Sequence, residues 1–149
     1  MFFRSVASIG SSAFEGCVKL GSAVIVGNAE TIGKNAFGDC KKLVTVTLGE
    51  KVTTIGDGAF TGCEKLIEVI NYSKLNISCN EKGNGGVGYY ALNIKTSGES
   101  DIIYENGFAF YLYNGIYYLV DYAGSDTKLL LPAKYLDNEY EIYKYAFAY

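Results

Sequence analysis

Four cysteines and no histidine limit the chemistry open to this 149-residue chain. Without an imidazole there is no histidine general base and no histidine zinc ligand. Neither a Ser-His-Asp nor a Cys-His nucleophile can be assembled. No CxxC pair is present to anchor a thiolate metal site. The carboxylate pairs Asp137/Glu139 and Glu139/Glu141 lack the apolar surroundings that would separate their pKa values, so they read as solvated faces. Gly83, Gly85 and Gly88 in "GNGGVG" satisfy G-x-G-x-x-G, and "YYALNIK" behind them could open a short helix. A dinucleotide fingerprint also needs a buried strand before it, a full βαβ unit and an acid about 20 residues on. Glu105 is near that distance, but the segment that follows the glycines reads as hairpin and not as a parallel strand, so a flexible glycine loop is expected. No catalytic constellation emerges, and no cofactor or metal is expected.

The remaining cysteine pattern is structural. Cys17, Cys40 and Cys63 recur every 23 residues, and other columns keep the same step. They are Ile9-Gly10, Ile32-Gly33 and Ile55-Gly56; Ala13-Phe14, Ala36-Phe37 and Ala59-Phe60; Leu20, Leu43 and Leu66; and Val6, Ala29 and Val52. A unit this short cannot bury its own apolar face and must stack on its neighbours. Each coil then gives an Ile, an Ala, a Phe, a Cys and a Leu to one continuous core. The glycine after each Ile marks a place where a side chain would be in the way. "LVTVTL" alternates in period two, which predicts one short strand per coil with Val46 and Leu48 inward and Thr45 and Thr47 outward. The strands would form a narrow parallel sheet. A cysteine column in such a stack is a core column, because free Cys behaves as a small hydrophobe. Rungs about 4.8 Å apart bring a disulfide within reach by distance. Three members cannot all pair, however, and parallel side chains on neighbouring rungs point the same way. Reduced core thiols are expected.

"IGKNAFGDCKKLVTVTL" and "IGDGAFTGCEKLIEV" resemble the BspA-type leucine-rich repeat, whose pattern runs roughly IGxxAFxxCxxLxxVxL. The resemblance implies a curved solenoid of the kind found mainly in surface proteins of bacteria and some mucosal protists, with adhesion among its roles. It also implies an extracellular or cell-surface location, although "MFFRSVASIGSSAF" has no long apolar core and does not read as a signal peptide.

The pattern runs over residues 6–71 and then breaks, with Asn71 standing where Ile25 and Leu48 stand in earlier copies. All 14 tyrosines lie at Tyr72 or later. Asn106-Gly107 and Asn114-Gly115, set between aromatic and β-branched runs, predict two hairpin turns. Gly124-Ser125-Asp126 predicts a third, followed by a strand in "KLLLP" that Pro132 ends. Plain alternation separates Phe108, Phe110 and Leu112 from Ala109, Tyr111 and Tyr113. It also groups Ile116, Tyr118, Val120 and Tyr122 apart from Tyr117 and Leu119. One face of this meander is expected to pack on the solenoid, leaving tyrosines exposed on the other. Ile142, Ala146 and Phe147 then restore the Ile, Ala and Phe columns. The chain therefore reads as one leucine-rich-repeat solenoid: repeats at 6–71, a Tyr-rich β-hairpin insertion at 72–128, and the repeat resuming at 129–149. Both ends fall inside a repeat, which reads as a fragment of a longer protein with apolar ends and predicts end-to-end self-association.

Composition narrows the function. At 49% hydrophobic and 19% charged the chain suits a folded domain. With a net charge of -3 and no basic run interleaved with aromatics, a nucleic-acid surface is not expected. No apolar stretch reaches the roughly 18 residues needed to span a bilayer as a helix. The sequons Asn71-Tyr72-Ser73 and Asn76-Ile77-Ser78 read as coincidence. What remains is a non-enzymatic binding module that recognises protein through its repeat surface. Ser22, Thr45, Thr47 and Glu68 are the candidate contacts, as an outward stripe. Glycan recognition by exposed tyrosines of the insertion and a purely structural spacer are the alternatives.

Overall fold

The computed structural model describes residues 6–126 and 128–148. The chain divides into a repeat unit, through Ser100, and a meander unit, Asp101–Ala148.

Each of the first three coils of the repeat unit carries two short strands, not the single one that alternation predicts. β1 (Ser8–Ile9), β3 (Thr31–Ile32) and β5 (Thr54–Ile55) form one parallel sheet. β2 (Ser22–Ile25), β4 (Thr45–Leu48), β6 (Glu68–Asn71) and β7 (Asn93–Lys95) form a second. The extra strand is the Thr-Ile or Ser-Ile dipeptide before each glycine, too short for a period-two signal. Ala23, Ile25, Val46, Leu48 and Val69 point into the core, and Thr45 and Thr47 point out, as alternation requires.

Between the two strands each coil makes a turn arc. Ser12, Asn35 and Gly58 hold one column of this arc, three residues after the Ile, all at positive φ of 53–67°. Asn and Gly tolerate that region better than most residues. The arcs stack by backbone hydrogen bonds that run one way: Ser12, Phe14 and Gly16 amides donate to Lys34, Ala36 and Gly38 carbonyls. Asn35, Phe37 and Asp39 repeat this toward Asp57, Ala59 and Thr61 at 2.8–3.1 Å. The glycines after the Ile serve close approach. A Cβ on Gly33 would lie 2.5 Å from the Ser11 nitrogen, and one on Gly56 2.6 Å from that of Lys34.

Inside, Phe14, Phe37 and Phe60 stack nearly parallel, with centroids 5.2 and 5.1 Å apart. Burying each such ring stabilises the fold by about 2 kcal/mol from area alone. All four cysteines are reduced. Cys40 and Cys63 are buried as the column predicts, and each thiol donates to the Phe carbonyl of the preceding coil at 3.1 Å. Cys17, in the first coil, is exposed.

The repeat does not end at Asn71. Asn71 Oδ1 accepts from the Ser73 amide and hydroxyl, while its Nδ2 donates to the Leu75 carbonyl, closing a turn. The chain then runs a fourth coil. β7 pairs parallel with β6, Glu68 opposite Asn93 and Val69 opposite Ile94. The Leu92 amide donates to Ile67 as Ile67 does to Val44 and Val44 to Gly21. Ala91 thereby takes the Leu column. The glycine-rich segment forms this coil's arc, with a 3-10 turn at Asn84–Gly86. Gly85 accepts from Phe60, which puts Gly85 in the Ala column and Gly86 in the Phe column. "YYALNIK" forms no helix; its last three residues, Asn93–Lys95, are strand β7.

The meander unit is a four-stranded sheet in the order β11-β10-β9-β8, made of β8 (Ile103–Glu105), β9 (Phe108–Tyr113), β10 (Ile116–Tyr122) and β11 (Tyr140–Ile142). Both Asn-Gly pairs form the predicted hairpin turns, with φ of 50° and 82° at Asn106-Gly107 and 50° and 81° at Asn114-Gly115. Two expectations fail. A bulge between Leu119 and Asp121 puts Tyr122 opposite Phe108, on the Leu119 face, where simple alternation puts it on the other. No strand forms at Leu129–Leu131, and Leu130 is 88% exposed. The chain here is tied instead by Tyr140, whose hydroxyl donates to the Pro132 carbonyl at 2.7 Å, and by Tyr135, stacked on Phe110 at 3.9 Å.

Around Ile142 the local geometry is like that of the coils. β11 pairs parallel with β10 at the 23-residue step, Tyr117 with Tyr140 and Leu119 with Ile142. Tyr145 takes the positive-φ column at 64°, and the Ala146 amide closes onto Tyr143 as Ala36 does onto Gly33. Ala146 is buried, while Ile142 and Phe147 are exposed.

Candidate functional site

The four-stranded parallel sheet stacks its outward side chains in two exact columns. Ser22, Thr45, Glu68 and Asn93 form one; Val24, Thr47, Ile70 and Lys95 form the other. The predicted stripe therefore spans both columns, with Thr47 diagonal to the other three residues. Ser22, Val24, Thr45 and Thr47 are half-buried. Glu68 is fully buried, and so is Ile70 beside it, because β6 is covered on both faces. Glu68 is thus removed from the candidate contacts: it lies 3.9 Å from the Lys95 ammonium, inside the protein. Lys65, also buried, shares this region of the third coil. Nothing in the alternation of "LIEVIN" marks this, since a covered outward face looks like an exposed one in sequence. Thr45 Oγ1 is buried without a hydrogen-bond partner among the described residues, so Thr45 offers little to a partner. The accessible stripe is Ser22, Val24 and Thr47.

At the ends of these strands lies an open hollow of about 370 Å³, lined by Val26, Gly49, Glu50, Lys51 and Tyr72. Its rim is fixed by hydrogen bonds: Lys51 Nζ donates to Asn28 Oδ1 at 2.7 Å, and the Tyr72 hydroxyl donates to the Gly98 carbonyl at 2.6 Å. The first coil offers a separate apolar hollow of about 460 Å³ at Phe14, Cys17, Val18 and Leu20, with Val18 exposed.

Most tyrosines of the meander do not lie as the glycan reading requires, whereas Tyr72 and Tyr89 of the repeat unit are exposed. In the meander, Tyr111 and Tyr135 are buried and Tyr113, Tyr117, Tyr118, Tyr122, Tyr140 and Tyr143 are half-buried; Tyr104 and Tyr145 are exposed. Burial raises the phenol pKa of Tyr135 and Tyr140, as it does for Tyr143. Tyr135 belongs to the core of this sheet, with Tyr117, Tyr122 and Tyr140 packed against that core. Asn71 is likewise buried and hydrogen-bonded, which makes the first sequon a turn device.

No group of three or more Cys, Asp or Glu side chains converges to hold a metal ion among the described residues. Burial pushes the Cys40 thiol up to about 11 and the Cys63 thiol higher still. Both are therefore protonated donors at neutral pH, not nucleophiles. Among the described residues no helix is long and apolar enough to cross a membrane.

Stacked parallel coils, each closed by a glycine-flanked arc and filled by Phe, Cys and Leu columns, define a leucine-rich-repeat solenoid. Residues 2–82, more than half of the chain, match the BspA type leucine rich repeat region (6 copies). The chain belongs to the BspA-type leucine-rich-repeat family. That match runs past Asn71 into the fourth coil. No curated protein matches the chain. Among solved structures it is similar to a leucine rich cell surface protein from Faecalibacterium prausnitzii A2-165, at 22% identity and a TM-score of 0.33. The alignment covers 79% of this chain and 44% of that one.

Proposed function

We propose that the chain is a non-enzymatic binding module of a cell-surface protein and that it engages a protein partner through the outward face of its four-stranded repeat sheet. The observation that carries this reading is the in-register pair of columns, with Ser22, Val24 and Thr47 accessible beside the hollow at Tyr72. Parallel coils hold these side chains at fixed spacing on a rigid backbone, so a partner meets a surface that loses little entropy on binding. Family membership supports the surface location. The part of the stripe at Glu68 belongs to the interior and takes no part.

The test is a double substitution, Ser22→Lys with Thr47→Glu, whose opposite charges sit diagonally and leave the sheet intact. The chain is screened by surface plasmon resonance against a panel of purified secreted and cell-surface proteins. Loss of the captured partner with an unchanged melting curve supports the face. Undiminished binding by the double variant rules it out, and silence across the panel favours the spacer reading.

A further inference from the structure

The backbone ladder of the turn arc loses two of its three rungs at the third coil. Where Asn35, Phe37 and Asp39 all donate forward, only Phe60 does so, to Gly85 at 2.8 Å. The amides of Gly58 and Gly62, in the outer two columns, have no hydrogen-bond partner among the described residues. The cause is the fourth coil's arc, which is Asn84-Gly85-Gly86 instead of a copy of Asn-Ala-Phe. Gly85 closes tightly on Ala59 and Ile55, while a Cβ on Gly86 would meet nothing within 4 Å. The Phe stack therefore stops at Phe60. Beyond it lies a cavity of about 320 Å³, lined by Phe60, Thr61, Lys82, Gly86, Tyr89 and Tyr90 as well as by Gly58 and Gly62.

This cavity has a consistent chemistry. Two backbone N–H groups face along the stack with nothing to accept them. Lys82 adds a cation, its ammonium 5.3 Å from the centre of the Tyr89 ring. Tyr89 and Tyr90 meet edge to face at 4.8 Å and supply an aromatic wall. Asp39, whose carboxylate borders Gly62, is itself held by Lys41 at 3.3 Å. Donors and a cation call for an anion, and the wall calls for a flat apolar face. The volume sits at the low end of small-molecule sites. It exceeds what a lone Asp or Glu side chain fills.

We propose that this cavity binds an acidic sugar residue of the hexuronate class. The carboxylate takes the Gly58 amide and the Lys82 ammonium, and the pyranose ring lies against Tyr89 over Gly86. The site is separate from the outward sheet face and stands or falls without it.

The experiment is isothermal titration of the whole chain with trigalacturonate, galactotriose and an end-blocked triglutamate peptide. Trigalacturonate is expected to bind and the neutral trisaccharide to bind at least about tenfold more weakly, because a charge-assisted contact is lost. Lys82→Gln, at an exposed position, is expected to erase that discrimination, and Tyr89→Ala to weaken both sugars, each with an unchanged circular dichroism spectrum. Ser22→Lys with Thr47→Glu leaves the titration unchanged. The proposal is overturned by no binding of trigalacturonate, by equal binding of acidic and neutral sugars, by full affinity in Lys82→Gln, or by a triglutamate peptide that binds more tightly than the sugar.

Discussion

The Cys63 thiol donates to the Phe37 carbonyl one coil earlier, at 3.1 Å, and so links a core side chain to the backbone of the neighbouring rung. Cys63→Ala removes the sulfur and the donor together. It is expected to destabilise the repeat unit by about 1–3 kcal/mol in urea unfolding. Cys17→Ala, at an exposed position, stays within about 0.5 kcal/mol. Equal effects at the two sites would show that the buried bond contributes nothing.

Thiol reactivity follows the same order. In iodoacetamide at pH 8, read by mass spectrometry, Cys17 is expected to be modified first and half-buried Cys79 more slowly. Cys40 and Cys63 wait for unfolding, being both inaccessible and protonated. Rapid labelling of three or more thiols in the native protein would contradict the buried column.

Alkali should destabilise the fold. The Cys40 pKa rises from 9.0 to about 11 on folding, so between these values the unfolded chain has lost a proton that the native chain keeps. Stability is thus full below pH 9 and falls as pH climbs toward 11. The urea midpoint should drop over this interval by less in Cys40→Ala than in the parent chain. An identical drop in both would assign the effect to Cys63 and the tyrosines.

Gly33 and Gly10 occupy one sequence column but different surroundings. Gly33→Ala drives a methyl into the backbone of Ser11 and is expected to cost about 1–3 kcal/mol or more. Gly10→Ala meets nothing within 4 Å and stays near neutral. Chemical denaturation of the two variants side by side checks the pair.

Phe37→Ala, in the middle of the ring stack, is expected to cost about 3–5 kcal/mol. Phe14→Ala, half-buried at one end, costs less. The reverse order would mean that the stack is not where the core is densest.

The first three coils could be read from the sequence because every column there does the same physical job. Ile32, Phe37, Cys40 and Leu43 keep their spacing since each must land in one stack. The fourth coil escaped notice because its spacing lengthens and its arc swaps Ala-Phe for Gly85-Gly86. Leu75, Ile77, Val87 and Ala91 complete the core from positions no column predicts. Turn chemistry was legible at Asn106-Gly107 and Asn114-Gly115, where two positive-φ residues leave few alternatives. The bulge at Val120 was not, since it moves Tyr122 across the sheet without changing composition. The sheet stripe was half legible: pattern gives the direction of a side chain but not what covers it, and Glu68 shows the difference. Unpaired amides such as those of Gly58 and Gly62 carry no sequence signal at all.

The one-way donation along the turn arcs gives the stack a polarity. Between the first three coils one side of the arc presents carbonyls and the opposite side amides. Two copies brought together about a two-fold axis through like faces would set acceptor against acceptor along that arc. Copies joined through arc faces must therefore follow one another head to tail, an arrangement that does not close on itself as a symmetric dimer does. Any assembly built this way is a ring where the rotation between copies closes and an open filament where it does not.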